Sequence, residues 1–173
     1  MAEAVIRVAV ITVSDSAFAG MRENLSGPAV CARCEALGWA VGRSEVIPDE
    51  AVRIGRLLVE LAGSKEVDVV LTTGGTGIAE RDVTPEATRA VVEREIPGIA
   101  ELMRIEGVKF TRRAVLSRGI AGTRDSTLIL NLPGSPKGAV QSLDAVSDLI
   151  VHVVDLLQGR TEHGAQGAET DLN

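Results

Sequence analysis

Apolar positions along the chain follow two alternating rhythms. Residues 5–13, VIRVAVITV, are short, β-branched and almost wholly apolar, the pattern of a strand buried on both faces. WAVGRSEVI (39–47), VDVVLTT (67–73) and STLILNL (126–132) predict three more strands. Between them the spacing changes to three and four. SGPAVCARCEALG predicts a helix with Ser26 or Gly27 as cap, Pro28 in its first turn and Gly38 at its end. DEAVRIGRLLVELAGS places Val52, Leu57, Leu58 and Leu61 on one side, with Gly63 as terminator. A third helix is expected from about Thr84 to Glu95, with Thr84 capping and Pro85 at the first position. PGIAELMRIEGVKF opens a fourth, and AVLSR is short and ambiguous. PKGAVQSLDAVSDLIVHVVDLLQG carries Val140, Leu143, Val146, Leu149, Ile150, Val153, Val154 and Leu157 at helical spacing. Helices alternating with wholly apolar strands predict an α/β fold: an open, mostly parallel, twisted sheet with helices on both faces, in three layers. Residues 1–158 form a single domain in this reading. The polar, aperiodic remainder, 159–173, reads as a disordered tail.

Composition narrows the function classes. A chain of 173 residues suits one domain with a sizeable core, and 45% hydrophobic with 24% charged residues reads as soluble and globular. The net charge of -6 argues against nucleic acid or an anionic membrane as main partner. No apolar run is long enough to span a bilayer, and Glu3 sits where a signal peptide needs positive charge, so a cytoplasmic protein is expected. Cys31 and Cys34, in CARC, have the spacing of a redox pair or half a zinc site. No second pair exists and the spacing sits in an apolar helical pattern, which favours two small core residues. Aromatic residues make up 2%, so a flat heterocycle has little to stack on. Trp39 opens its strand at the far end of the sheet, and Phe18 reads as a core plug before a stacking platform.

Candidate chemistry collects where ligands bind in such sheets, beyond the C-terminal ends of the strands. Those ends run into TVSDS, IPDE, TTGGTG and NLPGSPKG. Gly74, Gly75, Thr76 and Gly77 offer backbone N–H groups and a hydroxyl to an anion, with a helix N-terminus close behind. The loop is neither a P-loop nor a dinucleotide fingerprint, because the closing Gly-Lys-Ser/Thr and the third glycine are absent. Asp82 follows at once and should repel a phosphate unless a cation lies between them. Asp82 and Asp49 together can hold Mg²⁺ while the glycines hold anionic oxygens, which suggests phosphoryl or nucleotidyl transfer. The competing roles are a helix cap for Asp49 and a simple loop carboxylate for Asp82. Lys137 either faces a nucleotide or is solvated, and Arg118 either pairs with an anion or lies on the surface.

Together VITVSD, SGP (26–28), IPDE, LTTGGTG, RDVTPEAT, PG (97–98), LSR and NLPGSPKGA resemble the molybdopterin adenylyltransferase family, which comprises bacterial Mog and MoaB proteins and gephyrin G domains. The resemblance spans about residues 6 to 140. It implies transfer of AMP from Mg·ATP to the terminal phosphate of molybdopterin, with release of pyrophosphate. It implies Asp49 and Asp82 as catalytic, magnesium-associated carboxylates. It also implies Thr12, Ser14, Asp15, Ser26, Gly27, Gly74 to Gly77, Thr84, Ser117, Arg118, Pro133, Gly134, Ser135 and Lys137 as binding residues. A homotrimer and a molybdenum insertase partner follow from the same resemblance. The alternative is a non-catalytic molybdopterin carrier or trimeric scaffold, which would need the glycine loop but not the carboxylate pair.

Overall fold

Side chains alternate across a pleated strand, so a strand apolar at every position must face a core on each side. The first strand, β1 (Arg7–Val13), does so in the computed structural model, which describes residues 5–160. Val8 and Val10 point into one core, and Ala9, Ile11 and Val13 into the other. The remaining elements are α1 (Asp15–Phe18), α2 (Ser26–Ala36), β2 (Ala40–Ile47), α3 (Ala51–Gly63), β3 (Val69–Thr73) and α4 (Thr84–Arg89). They continue with β4 (Arg94–Glu95), α5 (Pro97–Val108), a 3-10 segment (Arg112–Leu116), β5 (Ala121–Arg124), β6 (Thr127–Leu132) and α6 (Pro136–Leu157). The strands form one sheet in the order β2-β1-β3-β6-β5-β4. β2, β1, β3 and β6 are mutually parallel, and β5 runs antiparallel to β6 and to β4.

Helices α2, α5 and α6 cover one face, where Val30, Met103, Leu143 and Ile150 meet Val10, Leu71 and Leu130. α3 and α4 cover the other, where Ile54, Leu58 and Ala87 meet Ile11, Val70 and Ile129. Each fully buried Leu or Ile contributes roughly 2 kcal/mol of transfer free energy. Four parallel strands, each followed by a helix, bring four C-terminal ends to one edge. The three-layer α/β expectation holds.

Several local expectations change. The helix predicted to reach Glu95 stops at Arg89. The β-branched pair Val91–Val92 and the restriction that Pro97 places on Ile96 favour extended chain there. The segment then pairs with β5: Glu93 N–H donates to Thr123 O at 2.8 Å and Ile96 N–H to Ala121 O at 2.8 Å. β5 was not foreseen, because Gly119 and Gly122 interrupt its apolar pattern. Thr84 is the first residue of α4 and not its cap; Val83 holds the cap position without a side-chain bond. Neither Ser26 nor Gly27 caps α2; Asn24 Oδ1 accepts from Gly27 N–H at 3.1 Å. Val52 is 68% exposed, and Ile54 takes its expected place in the core. Phe18 is also no core plug: it is 47% exposed, with the Arg53 guanidinium 4.7 Å from its ring centroid. Trp39 directly precedes β2, at the end of the sheet away from the ligand loops as expected, and it is buried. The tail expected over 159–173 lies outside the described residues from 161 onward.

One buried polar group ties the layers beneath the ligand edge. Asn131, fully buried in β6, donates from Nδ2 to Thr72 Oγ1 at 3.0 Å and to Thr88 Oγ1 at 2.9 Å. Its Oδ1 accepts from Ile120 N–H at 3.2 Å. Asn131→Ala removes all three bonds and leaves the Ile120 N–H and the Thr72 hydroxyl without a partner in the interior, while Thr88 Oγ1 keeps its bond to Thr84 O. It is expected to lower unfolding free energy by about 3 kcal/mol, measured by urea denaturation; a loss under about 0.5 kcal/mol would show that the network does not bind the layers.

Candidate active site

The glycine loop after β3 is squeezed between neighbours on both sides. Gly74 has φ +102° and Gly75 φ +66°, conformations that disfavour any side chain. A Cβ at Gly74 would collide with Val13 O, and one at Gly75 with Thr84 Oγ1. A Cβ at Gly75 would also lie 3.0 Å from Asp49 Oδ1, and one at Gly77 2.7 Å from Asp82 Oδ2. The loop therefore brings its backbone against both carboxylates. It is anchored through Gly74 N–H to Leu132 O at 3.2 Å and Thr84 N–H to Gly75 O at 3.1 Å. Among the described residues, the N–H groups of Gly75, Thr76 and Gly77 donate to no internal acceptor. These are the amides free to meet an anion.

Arg118 closes the loop from outside. Its N–H donates to Thr76 O at 2.9 Å, Nε to Gly77 O at 2.7 Å and Nη2 to Asp82 O at 2.6 Å, and Nη1 pairs with Glu86. The guanidinium braces the backbone, and most of its donors are engaged internally.

Asp49 follows β2 and is held by an exchange with Asp15. Asp15 N–H donates to Asp49 Oδ2 at 2.8 Å, and Asp49 N–H to Asp15 Oδ1 at 3.0 Å. Glu50, not Asp49, occupies the α3 cap position. Arg81 reaches back from the glycine loop and grips Asp15 with Nε and Nη2, both at 2.9 Å. This fork holds the Asp15 carboxyl below its ordinary pKa, helped by the Asp49 backbone N–H. Burial raises the Asp49 pKa; the like charges of Asp15 and Asp82 raise it further, against the Asp15 N–H bond and Arg81. Asp82 Oδ2 accepts from Ala79 N–H at 3.0 Å, which fixes the carboxylate above Gly77.

Two cavities flank the loop. One, about 420 Å³, lies among Thr12, Ser14, Asn24, Ser26, Asp49 and Gly74. The second, about 390 Å³, lies among Thr76, Gly77, Thr111, Ser117, Pro133 and Gln141. Both share Gly75, Asp82, Gly134 and Ser135 as a common wall. Gly134 approaches Gly74 so closely that a Cβ there would be 3.3 Å from Gly74 Cα. Ser135 Oγ caps α6 by accepting from Gly138 N–H at 3.1 Å.

Among the expected binding residues, Asp15, Gly27, Thr84, Arg118 and Lys137 line neither cavity. Asp15 acts through Asp49. Gly27 makes room, since a Cβ there would strike Thr12 Oγ1. Thr84 is buried behind Gly75 with an unpartnered hydroxyl. Lys137 is exposed on α6. Residues that the sequence reading missed include Asn24, which takes a bond from Thr12 Oγ1 at 3.2 Å, and Arg81, Arg22 and Arg113. Basic residues without a motif around them give no signal in sequence alone. No aromatic side chain lines either cavity, as the composition implied.

Among the described residues, no three His, Cys, Asp or Glu side chains converge into a protein-only metal cage. Asp49 and Asp82 supply two hard oxygen donors beside an open cavity. That matches Mg²⁺, which takes one or two carboxylates and completes its shell with water and phosphate. The cysteines take no part. Cys34 is buried, its thiol pushed up to about 12 chiefly by burial, and both cysteines are free. A thiol so far above neutral pH is not a reactive thiolate. No helix among the described residues is long and apolar enough to cross a membrane.

Known proteins share this architecture. Residues 9–152 match the probable molybdopterin binding domain. A molybdopterin adenylyltransferase from Helicobacter pylori (strain J99) is 41% identical over 156 residues, 89% of each chain. The molybdopterin adenylyltransferase of Escherichia coli (strain K12) is 41% identical over 154 residues, 86% of this chain and 77% of its own. The crystal structure of the molybdopterin biosynthesis enzyme MoaB from Thermus thermophilus superposes with a TM-score of 0.85 at 47% identity, covering 90% of this chain and 98% of its own. With a domain match across most of its length and curated relatives 41% identical, the chain belongs to the molybdopterin adenylyltransferase family of Mog and MoaB proteins.

Proposed function

We propose that this protein adenylylates molybdopterin: it transfers AMP from Mg·ATP to the terminal phosphate of the pterin in molybdenum cofactor biosynthesis. The observation that carries the reading is the shared wall, where two cavities meet at Gly75 and Asp82 with Asp49 alongside. Two substrates that must react need two sites opening on one point. The names of the relatives support the same activity.

A phosphate oxygen of molybdopterin attacks the α-phosphorus of ATP. A P–O–P bond forms, the bond to the β-phosphate oxygen breaks, and pyrophosphate leaves with the electron pair. The attacking oxygen is already ionised at neutral pH, so the step needs no general base. No His, Cys or Lys side chain lines either cavity. The chain contributes position and electrostatics instead. The unpaired amides of Gly75 to Gly77 would donate to phosphoryl oxygens, Arg118 keeps that backbone in place, and Arg81 with Asp15 keeps Asp49 oriented. Asp49 and Asp82 would hold Mg²⁺, which when bound neutralises charge between the two anionic substrates. The raised pKa of Asp49 means that the ionised form is destabilised there and gains from a cation. A cytoplasmic homotrimer that hands its product to a molybdenum insertase completes the proposal; light scattering of the purified protein tests the trimer.

Pyrophosphate release from ATP is expected to require both molybdopterin and Mg²⁺ and to stop in EDTA. Full release in EDTA would overturn the metal's role, and tight molybdopterin binding without release would make the protein a carrier. Asp82→Asn and Asp49→Asn are each expected to lower turnover by about 10²-fold or more. Thermal melting and molybdopterin binding should stay near wild type, because the amide Oδ1 can still accept the backbone bonds. An unfolded Asp82→Asn would instead show that the carboxylate is structural. The Mg²⁺ concentration for half-maximal activity is expected to rise as pH falls, since protons compete for Asp49 at a higher pH than for an ordinary aspartate.

A further inference from the structure

Two polyanions are to enter a protein with net charge -6, past Asp49, Asp82 and, in the first cavity, Glu23. Amide dipoles and a cation on Asp49 and Asp82 would neutralise part of that charge at the shared wall, and each cavity still needs positive charge for the phosphate oxygens that it holds. The cations near the site can be assigned one by one. Arg81 is held in a fork on Asp15. Arg118 is engaged by Gly77 O, Asp82 O and Glu86. Arg104 donates to Ser117 O at 3.4 Å and to Gly119 O at 3.2 Å from the loop behind. Lys137 lines neither cavity.

Two guanidiniums remain. Arg22, after α1, is the one basic side chain lining the first cavity. Arg113, in the 3-10 segment, is the one basic side chain lining the second. Among the described residues neither side chain makes a hydrogen bond or ion pair; Arg22 and Arg113 contribute only their backbone N–H groups, to Ser16 O and Thr111 Oγ1. Arg81, Arg104 and Arg118 all have internal partners, so these two stand apart. Neither belongs to a cavity wall shared with the other. Each sits on a segment that only its own cavity touches.

We infer that Arg22 and Arg113 are separate anion anchors, each binding the phosphate-bearing end of a different substrate, one per cavity. The inference rests on the adenylylation reading for the identity of the two substrates. A planar fork with five donors suits phosphate oxygens, and charge-assisted bonds of this kind are stronger than neutral ones. Because each anchor lines one cavity and not the other, loss of one should leave the other site intact.

The test is titration calorimetry of Mg·ATP and of molybdopterin, separately, into wild type, Arg22→Gln and Arg113→Gln. Both arginines are exposed and make no side-chain bonds, so thermal melts of the variants should match wild type. One variant is expected to weaken ATP binding about tenfold or more with molybdopterin binding unchanged, and the other to do the reverse. Lysine at either position should restore part of the loss, since it keeps the charge without the fork. The inference is overturned if either variant binds both ligands as wild type does, or if both variants weaken the same ligand. If wild type binds both ligands yet releases no pyrophosphate, the adenylylation reading fails and the two anchors are still decided by the titrations.

Discussion

The site depends on a steric constraint: there is no room for a side chain between the end of β1 and the carboxylates. The backbone of Gly74 touches Val13 O on one side, and Gly75 lies against Thr84 and Asp49 on the other. Only a chain without Cβ atoms can run there, and only by adopting positive φ twice in succession. That path leaves three successive amides unpaired and places them within reach of two aspartates. On the proposed reading, an anion site and a cation site are thereby built on the same few residues. The juxtaposition of GGTG with an acidic residue, paradoxical in sequence, is what a metal-bridged reaction between two phosphates requires.

Around this loop the protein uses its arginines as fixtures. Arg118 bonds carbonyls on both sides of the loop, which prevents the amides from turning away. Arg81 is held on Asp15, where its charge offsets the mutual repulsion of Asp15, Asp49 and Asp82. The buried network at Asn131 holds β6 to β3 and α4 below, so the loops rest on a rigid edge. Preorganisation of this kind matters where catalysis comes from aligning two anions rather than from a nucleophilic side chain.

Much of this was legible in the chain itself. Mostly apolar runs at 5–13, 67–73 and 126–132 identify central parallel strands, because a half-exposed strand would alternate apolar and polar positions. The candidate aspartates and glycines could be picked out because they lie beyond strand ends: Asp49 after 39–47, and Gly74 to Gly77 with Asp82 after 67–73. What was missed is instructive in physical terms. β4 and β5 are short edge strands whose pairing comes from contacts far apart in sequence. Arg118 looked like a ligand residue, and only three dimensions show that its donors are satisfied by the backbone. Thr84 looked like a cap, yet its position is dictated by packing behind Gly75. Phe18 looked like core because it is aromatic, but it stacks on Arg53 at the surface.

The central claim is that the glycine loop divides two sites that are filled at the same time and meet at Asp82. The most direct measurement is binding of an ATP analogue with a non-cleavable α,β-methylene bridge to protein already saturated with molybdopterin, with Mg²⁺ present. The account expects the analogue to bind one per chain, with molybdopterin still in place. Displacement of molybdopterin by the analogue would show one shared site, and the two-cavity account would be wrong.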